Sequence, residues 1–357
     1  MSEQVRKSNF ELLRIVSILV ITLSHISLTY GIENTNTFIR YCAQFFFIGG
    51  KLGVNCYVLI TGYFMYNKRF DLKRILKLYL MVIFYTFILL IVGFIFIPET
   101  ISFKGIIESL LPIITNHYWF ITSYIGLICL TPFINKLVAV LDKKAHSMLI
   151  VVGLVLLTII PTMTTFTPYN SDLLWFIFLY ILAAFFRKYD GKIKRMLSHG
   201  YIFIITTGIM WCGSIIFSLL SNYISFFSEG INFLAGQYIL TQLINSCSLF
   251  LWFEKKKIFS PKINFLAKYT LASYLIQSNY IMIPLRIGLC NNIFQNTSIY
   301  LYPIFSVLLA IVLFGVAVAI DHVRERLTDP INNKLYKYAN HIVEKICSKI
   351  EPFIEEE

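Results

Sequence analysis

The chain has 357 residues, of which 57% are hydrophobic and only 14% are charged. About a quarter of the residues in a soluble domain are charged, so a soluble surface of this size would be poorly covered here. The formal net charge of +12 comes from short basic clusters between apolar stretches. That distribution is typical of membrane-protein loops, whereas a nucleic-acid-binding protein gathers its basic residues on one face. The composition predicts an integral membrane protein with no nucleic-acid partner.

The apolar stretches predict the number of membrane spans. A helix needs about 20 mostly apolar residues to cross the hydrocarbon core, and on that basis we predict an all-α fold, a polytopic membrane helical bundle of about ten transmembrane helices. The first span contains Arg14 and lacks a small-residue cleavage site after it, so we expect a retained helix and not a signal peptide. The predicted spans cover residues 9–30, 44–66, 74–97, 118–139, 146–166, 171–187, 200–222, 231–253, 269–289 and 298–320.

The loop charges predict the orientation of these helices. If the N-terminus lies inside, 26 of the 31 Lys and Arg residues fall in inner segments. Only Arg40, Lys51, Lys104 and Arg286 then lie at or toward the outer side. Cytoplasmic loops carry such an excess of basic residues, and an even number of spans returns the chain to its starting side. Both termini are therefore predicted to be cytoplasmic.

The last segment of the chain differs from the apolar part. From about residue 321 it is polar and charged, and the spacing of its apolar residues is typical of an amphipathic helix on a membrane surface. We predict a transmembrane domain at residues 1–320 and a cytoplasmic tail at residues 321–357. The apolar residues of the tail recur at helical spacing at Leu335, Tyr338, Ile342, Ile346 and Ile350.

Three ionisable residues in the first span are candidates for chemistry. Arg14 and His25 are eleven residues apart, which is about three turns plus 20° at about 100° per residue, so they share one face about 16 Å apart. Glu11 precedes Arg14 by three residues and can pair with it. Ionisable side chains inside a membrane span are costly unless they serve a structure or a function.

Two interpretations of this stripe remain open. In the structural one, Glu11 and Arg14 anchor the helix end at the interface, and His25 makes an interhelical hydrogen bond. In the functional one, Arg14 holds an anionic group entering from the cytoplasm, and His25 acts as a general base toward the outer half. Histidine suits that role because its ordinary pKa is near neutrality.

The ten residues between Arg14 and His25 give a spacing that resembles the Arg/Lys-x10-His motif of the acyltransferase 3 family. Its members are multi-spanning membrane enzymes that O-acylate glycans and other cell-surface molecules. Residues 53–64 resemble the family's second-helix pattern, a Gly-Val followed by an aromatic-rich run ending in Ser-Gly-Tyr/Phe, with Thr61 in place of the usual Ser. Further segments resemble the family in the same order along the chain, at residues 118–120, 130–133 and 272–276.

The resemblance implies an acyl-CoA donor on the cytoplasmic side, most often acetyl-CoA, and an acceptor hydroxyl at the outer face. No bound cofactor or metal is expected. Gln277 stands where the family often has a His, and an amide cannot titrate. The predicted site comprises catalytic His25, Arg14 and Glu11, donor-binding Arg14, Lys73 and Arg74, and acceptor-side Lys51, Trp119 and Gln277.

Several of these residues also have structural interpretations. Lys73 and Arg74 belong to a basic cluster that topology alone explains. Lys51 is flanked by glycines and either snorkels to the interface or lines the acceptor side. Trp119 is either an interfacial anchor or a platform for a sugar ring.

The remaining histidines and the cysteines are expected to be unreactive. No CxxC or Cys/His metal spacing occurs, so we predict buried thiols, no disulfide and no metal site. The other histidines fall in loops, at helix ends or in the tail, and we expect His117, His146, His199, His322 and His341 to be solvated.

Taken together, the residues and the resemblance predict a plasma-membrane O-acyltransferase. It would transfer an acyl group, as O-acetylation, from cytoplasmic acetyl-CoA to a cell-surface or exported polysaccharide. Its expected partners are the lipid bilayer, acyl-CoA and a glycan or glycolipid acceptor. One alternative is a transporter or flippase that moves a lipid-linked glycan without acyl chemistry. Another is a membrane scaffold, which would not need Arg14 and His25 on one face.

Overall fold

The computed structural model describes the backbone of residues 7–164, 167, 169–221, 223–224 and 230–355. Within that part of the chain the fold is helical and contains no β-strand, which confirms the all-α prediction. The α-helices are α1 (Ser8–Ile26), α2 (Thr37–Met65), α3 (Leu72–Phe96), α4 (Phe103–Leu110), α5 (Trp119–Val140), α6 (Lys143–Leu154), α7 (Ile160–Thr164), α8 (Asp172–Lys188), α9 (Lys192–Leu197), α10 (Gly200–Leu220), α11 (Gly230–Ala235), α12 (Leu240–Lys255), α13 (Pro261–Leu266), α14 (Thr270–Gln277), α15 (Met282–Gln295) and α16 (Tyr302–Glu355).

Seven helical segments among the described residues are long and apolar enough to cross a membrane, so the protein is a multi-pass membrane protein. They are Ser8–Gly31, Thr37–Met65, Leu72–Phe96, Trp119–Val140, Lys143–Thr164, Gly200–Leu220 and Ile299–Asp329. The other three predicted spans coincide with shorter helices. α8 has 17 residues, α12 has 16, and the predicted ninth span is divided into α14 and α15. The count of about ten spans therefore stays a prediction.

Two of the short helices lie inside the bundle and not at its lipid-facing surface. α8 packs against α2 and α5, and α12 packs against α2 and α10. α12 carries the buried polar residues Gln242, Asn245 and Ser246, which lower its hydropathy. Polar side chains inside a membrane bundle face its interior and find partners there; the Asn55 amide, for example, donates to Ser246 Oγ at 3.2 Å. The polar side chains explain the weaker hydropathy of α12, whereas α8 is strongly apolar and is only shorter than a full span.

The break in the predicted ninth span has a local cause. The Asn279 side chain accepts a hydrogen bond from Ile281 N at 3.0 Å, which forms a turn in place of a continued helix. Its amide nitrogen also donates to the Tyr118 hydroxyl at 2.8 Å. Pro284 lies in the first turn of α15, where a missing N–H has no helical partner to lose. The helix therefore ends at Gln277 and restarts at Met282, after four intervening residues.

α2 is the central helix, and glycines let its neighbours approach it closely. A Cβ at Gly53 would lie 2.5 Å from the backbone oxygen of Ser17 in α1, and one at Gly49 would lie 2.9 Å from the backbone oxygen of Val20. Small residues permit this type of backbone contact between membrane helices. These close contacts hold α1, which carries Arg14 and His25, directly against α2.

The helix directions follow from contacts along α2. We call the end of the bundle that holds Ser8 and Met65 the lower end, and the opposite end the upper end. Tyr63, near the end of α2, accepts a hydrogen bond from Arg187 of α8 at 2.8 Å and donates one to Glu254 of α12 at 2.7 Å. Since Arg187 and Glu254 lie near the ends of their helices, α8 and α12 run parallel to α2, from upper to lower end.

α16 runs from the upper end past the lower end without interruption. It continues from Tyr302 to Glu355, so residue 321 is not a break in the helix. Asp321 and Arg324 are buried in the bundle. Tyr338 is exposed, and the side chains of the other apolar residues of the predicted amphipathic face lie outside the described residues. The division at residue 320 stays a prediction.

Candidate functional site

A cavity of about 500 Å³ lies in the lower half of the bundle, between α1, α2, α3, α5, α14 and α16. Its lower part is charged, with four basic and three acidic side chains in the wall. Its upper part is apolar and aromatic. The charged residues are Arg14, Lys77, Lys268, Arg324, Glu11, Asp321 and Glu325, and the upper part includes Ile18, Ile21, Val54, Phe120, Leu271 and Tyr274.

Arg14 and Glu11 form the ion pair that their spacing predicts. Arg14 Nη1 lies 3.0 Å from Glu11 Oε1 and 3.1 Å from Oε2, and the Tyr57 hydroxyl donates to the Arg14 backbone oxygen at 3.0 Å. The Arg14 side chain is 34% exposed, whereas Glu11 is 11% exposed. Arg14 therefore presents the accessible charge of the pair to the cavity, and Glu11 holds it in place from behind.

A second buried ion pair stands on the α16 side of the cavity. Arg324 Nε donates to Asp321 Oδ1, and the Tyr85 hydroxyl donates to the same oxygen at 2.7 Å. Lys77 and Lys268 are exposed and have no carboxylate partner among the described residues. Glu11 and Asp321 are each matched by an arginine, and the two lysines outnumber the remaining acid, Glu325, so the lower part of the cavity has a net positive charge.

The structure does not bring Lys73 and Arg74 into this cavity. Arg74 is exposed and pairs with Asp71 at 3.4 Å, at the beginning of α3. The lysine that does line the cavity is Lys77, one helical turn after Lys73. The basic cluster is recognisable in the sequence. Which of its residues faces the cavity is determined by the rotation of α3 against its neighbours.

His25 lies one turn above the upper end of the cavity. Ile21 precedes it by four residues on α1 and lines the cavity wall. The imidazole is partly buried, and its Nδ1 atom is buried without a hydrogen bond in the described part of the chain. The Gln277 side chain lies beside the imidazole, and Arg286 and Lys51 are the basic residues that act on it electrostatically. The predicted stripe therefore leads from a basic cavity to an imidazole.

Lys51 and Trp119 are in direct contact beside this position. Lys51 Nζ is 4.2 Å from the centre of the Trp119 ring and donates to Gln237 Oε1 at 2.8 Å. The Gln237 amide donates in turn to Asp172 Oδ1 at 3.0 Å, as does the Tyr238 hydroxyl. Lys51 therefore points into the bundle and does not snorkel to the interface. Its ammonium also covers one face of the Trp119 ring.

Gln277 and Arg286 complete the surroundings of His25. Arg286 Nη1 donates to the Gln277 backbone oxygen at 2.9 Å, and its Nε donates to Thr29 Oγ1 at 2.9 Å. Both side-chain polar atoms of Gln277 are buried without a hydrogen bond among the described residues. The sequence indicates Arg286 only by its charge, as one of four basic residues toward the outer side. Its proximity to His25 depends on the break between α14 and α15.

The prediction that the remaining histidines are solvated is wrong for two of them. His146 is fully buried, and its Nε2 lies 3.1 Å from the Ile181 backbone oxygen. The His117 side chain is 3% exposed because α4 covers it, and its Nε2 accepts from Asn279 at 3.3 Å. Burial lowers the pKa of His117, and the nearby Glu108 carboxylate opposes that shift. His322 is partly buried against Tyr269, while His199 is exposed and His341 lies outside the described side chains.

The described cysteines are free thiols, but they are not all buried. Cys56, Cys247 and Cys290 are buried, and Cys42 is half-buried. Cys129 and Cys212 are exposed on the surface of the bundle, which corrects the expectation of buried thiols for these two. Both lie in helices that are long and apolar enough to cross a membrane, so the exposed surface is a lipid-facing one.

Comparison with known proteins identifies the family. Residues 7–322 match the model of an acyltransferase domain, that of the acyltransferase 3 family. No curated protein matches the chain, and no solved structure matches it. The family match covers most of the chain and includes Arg14, His25 and Asp321, whereas the cavity residues Arg324 and Glu325 lie just beyond it. It confirms the resemblance that the first-helix motif indicated, and the chain belongs to the acyltransferase 3 family of membrane acyltransferases.

Proposed function

We propose that the protein is a plasma-membrane O-acetyltransferase that uses cytoplasmic acetyl-CoA to modify a cell-surface or exported polysaccharide. The observation that carries this proposal is the arrangement along α1. A basic cavity opens at Arg14, and its apolar upper part ends one turn below His25. The positive-inside distribution of loop charge supports an orientation with the lower end in the cytoplasm.

The cavity suits an acyl-CoA donor in two respects. Its charged lower part has Arg14, Lys77 and Lys268 available for the phosphate groups of CoA, and charge-assisted hydrogen bonds to phosphate are among the strongest in proteins. Its upper part is lined by side chains such as Ile21, Val54 and Phe120, against which the pantetheine arm and acetyl group can lie. The thioester is thereby directed toward His25.

His25 is the proposed general base. It removes the proton of the acceptor hydroxyl as that oxygen attacks the thioester carbonyl carbon. The C–S bond then breaks, and the imidazolium returns the proton to the departing CoA thiolate. Glu11 acts as a positioning residue for Arg14, and Gln277 supplies amide hydrogen-bonding groups beside the imidazole. The proton taken from the acceptor ends on CoA, so this step needs no other cofactor.

The test is mass spectrometry of surface glycans from cells that carry the wild-type protein or the His25→Ala variant. We expect the wild type to add one acetyl mass to a glycan and the variant to add none while still inserting in the membrane. His199→Ala is the matched control, because His199 is exposed and does not line the cavity. Full acetylation by the His25→Ala variant would exclude the catalytic role. Glycan export without any acetyl difference would favour a transporter.

A further inference from the structure

The charges around His25 are unbalanced. Lys104, another basic residue toward the upper end, has a carboxylate partner, Glu108, at 3.7 Å. Lys51 and Arg286 have no carboxylate within ion-pair distance in the described part of the chain. Both nevertheless lie inside the bundle, beside His25. Two basic side chains thus face the candidate base with no acid between them.

Isolated charges in this setting are costly. Taking a cation out of water into a membrane bundle is unfavourable unless an anion or several hydrogen-bond acceptors compensate for the lost hydration. Asp172 is the nearest acid on the Lys51 side, but it accepts from Gln237 and Tyr238 and reaches Lys51 only through the Gln237 amide. The protein therefore keeps two cations at this position without neutralising them itself.

Both cations also retain unused donors. Lys51 Nζ donates to Gln237, which leaves further N–H groups of its ammonium free to bind a ligand. Arg286 donates through Nε and Nη1, and its Nη2 amino group donates to no described residue. A planar guanidinium with free N–H groups suits a carboxylate or phosphate oxygen. These donors can bind an anion without breaking an existing hydrogen bond.

The position of Lys51 over Trp119 limits how a sugar can bind here. One face of the indole ring is occupied by the ammonium at 4.2 Å, so a sugar ring cannot stack on that face. Recognition at this point is therefore through charge. The cation held on the ring also has a fixed position, which makes it a directional contact and not a mobile surface lysine.

We infer that Lys51 and Arg286 bind an anionic group of the acceptor, so that the acceptor is an acidic glycan whose carboxylate or phosphate lies close to the hydroxyl that is acylated. This inference rests on the proposed function and deepens it, because it assigns a chemical class to the acceptor. The two cations hold the anion beside His25. The neighbouring hydroxyl is then presented to the imidazole.

The natural acceptor itself provides the first test. Glycans from cells with the wild-type protein or the His25→Ala variant are separated by anion exchange, and the repeat that carries the acetyl group is identified by mass spectrometry. We expect acetyl groups on an acidic repeat. Carboxyl reduction and phosphodiester cleavage then distinguish a carboxylate from a phosphate. Acetyl groups confined to a neutral repeat would overturn the inference while leaving the acetyltransferase intact, whereas no acetyl difference would overturn both.

The second test separates acceptor binding from a general contribution to the chemistry. In membranes that contain the acceptor, Lys51→Gln and Arg286→Gln should each raise the KM for acceptor about tenfold, since loss of a charge-assisted contact commonly has that effect. The KM for acetyl-CoA should not change, and Lys51→Arg should restore part of the acceptor affinity. Lys104→Gln is the matched control, with an unchanged KM. A fall in kcat with an unchanged acceptor KM in both Gln variants would contradict acceptor binding.

Discussion

Arg14 is a residue whose ion-pair partner can be predicted from the local sequence. An arginine inside an apolar span demands a partner, and the only nearby candidate at helical spacing is Glu11. The ion pair at 3.0 Å follows from that spacing alone. The exposure of Arg14 to a cavity does not follow from the spacing, because helices from distant parts of the chain form the cavity wall. The sequence thus predicted the pair, and the tertiary structure explains why its arginine side is accessible.

The donor role of Arg14 can be tested by binding. Arg14→Gln should weaken binding of labelled acetyl-CoA by about tenfold, because a neutral amide cannot replace a charge-assisted contact with phosphate. Arg74→Gln is the matched control, since Arg74 belongs to the same basic end of the bundle but is exposed outside the cavity. Equal losses in the two variants would indicate a diffuse electrostatic effect and not a specific contact.

Other residues near the candidate site are placed by contacts between distant parts of the chain. His117 was expected to be solvated because it lies in a loop, yet α4 and Asn279 enclose it. The contact between Lys51 and Trp119 joins residues 68 positions apart, and that between Lys51 and Gln237 spans 186 positions. No periodicity along one helix encodes such contacts. Residue type identified the candidates, and only the packing of separate helices could place them together.

At the scale of elements, α2 explains the glycines of the family-like segment at residues 53–64. Gly53 lies against the backbone of α1, and Gly62 lies against the backbone of Tyr180 in α8. These positions hold the two neighbouring helices at their closest approach. The Gly-rich pattern therefore fixes the relative position of α1, α2 and α8, and so the wall of the cavity that Thr61 and Val54 line.

Gly62→Ala should destabilise the bundle. The new Cβ would lie 2.7 Å from both the Cα and the backbone oxygen of Tyr180, and backbone cannot move away as a flexible side chain can. We expect a loss of about 1–3 kcal/mol, as for other overpacked contacts, and a lower melting temperature of the purified protein. Gly208→Ala in α10 is the control, because nothing lies within 4 Å of its added Cβ. There the better helix propensity of Ala should leave stability unchanged or slightly raised. A Gly62→Ala melting temperature equal to that of the wild type would contradict this close contact.

Among the helices packed within the bundle, α12 departs most from its predicted bounds, because it begins at Leu240 whereas the predicted span began at residue 231. α8 and α12 have 17 and 16 residues, about 24–26 Å at about 1.5 Å per residue, against a hydrocarbon core of about 30 Å. A hydropathy pattern measures contact with lipid, and these helices mostly contact protein. The sequence therefore predicted both helices, and the bounds of α8 to within one residue, whereas the start of α12 and the break before Pro284 depend on side-chain hydrogen bonds and buried neighbours.

At the scale of the whole molecule, helix direction and loop charge agree. α2, α8 and α12 all run from the upper to the lower end. If ten spans alternate in direction, these three must be parallel, as they are. The lower end also carries the basic mouth of the cavity and the partly buried Lys194–Glu254 ion pair at 2.9 Å. A cytoplasmic donor and an outer acceptor can thus meet within one bundle, provided that the lower end faces the cytoplasm.

That orientation, and the number of spans, can be tested together by cysteine labelling in intact cells. Exposed residues in the segments between the predicted spans are replaced singly by Cys, and cells with each variant are treated with a membrane-impermeant maleimide. Ten alternating spans place three of them outside, where they should react directly, and two inside, where they should react only after permeabilisation. The outer positions are Lys104, Tyr223 and Asn296, and the inner positions are Lys192 and Lys257.

The pattern of labelling distinguishes the possible topologies. If α8 and α12 do not span, the chain does not change sides at those helices. Lys192 should then react directly and Tyr223 should be protected. If the whole bundle is inverted, Lys104 is protected and Lys257 reacts. The unsubstituted protein measures background from Cys129 and Cys212, which are exposed on the surface of the bundle. An inverted pattern would place the basic cavity outside the cell and exclude cytoplasmic acetyl-CoA as its ligand, whereas the alternating pattern would place Arg14 at the side from which the donor must enter.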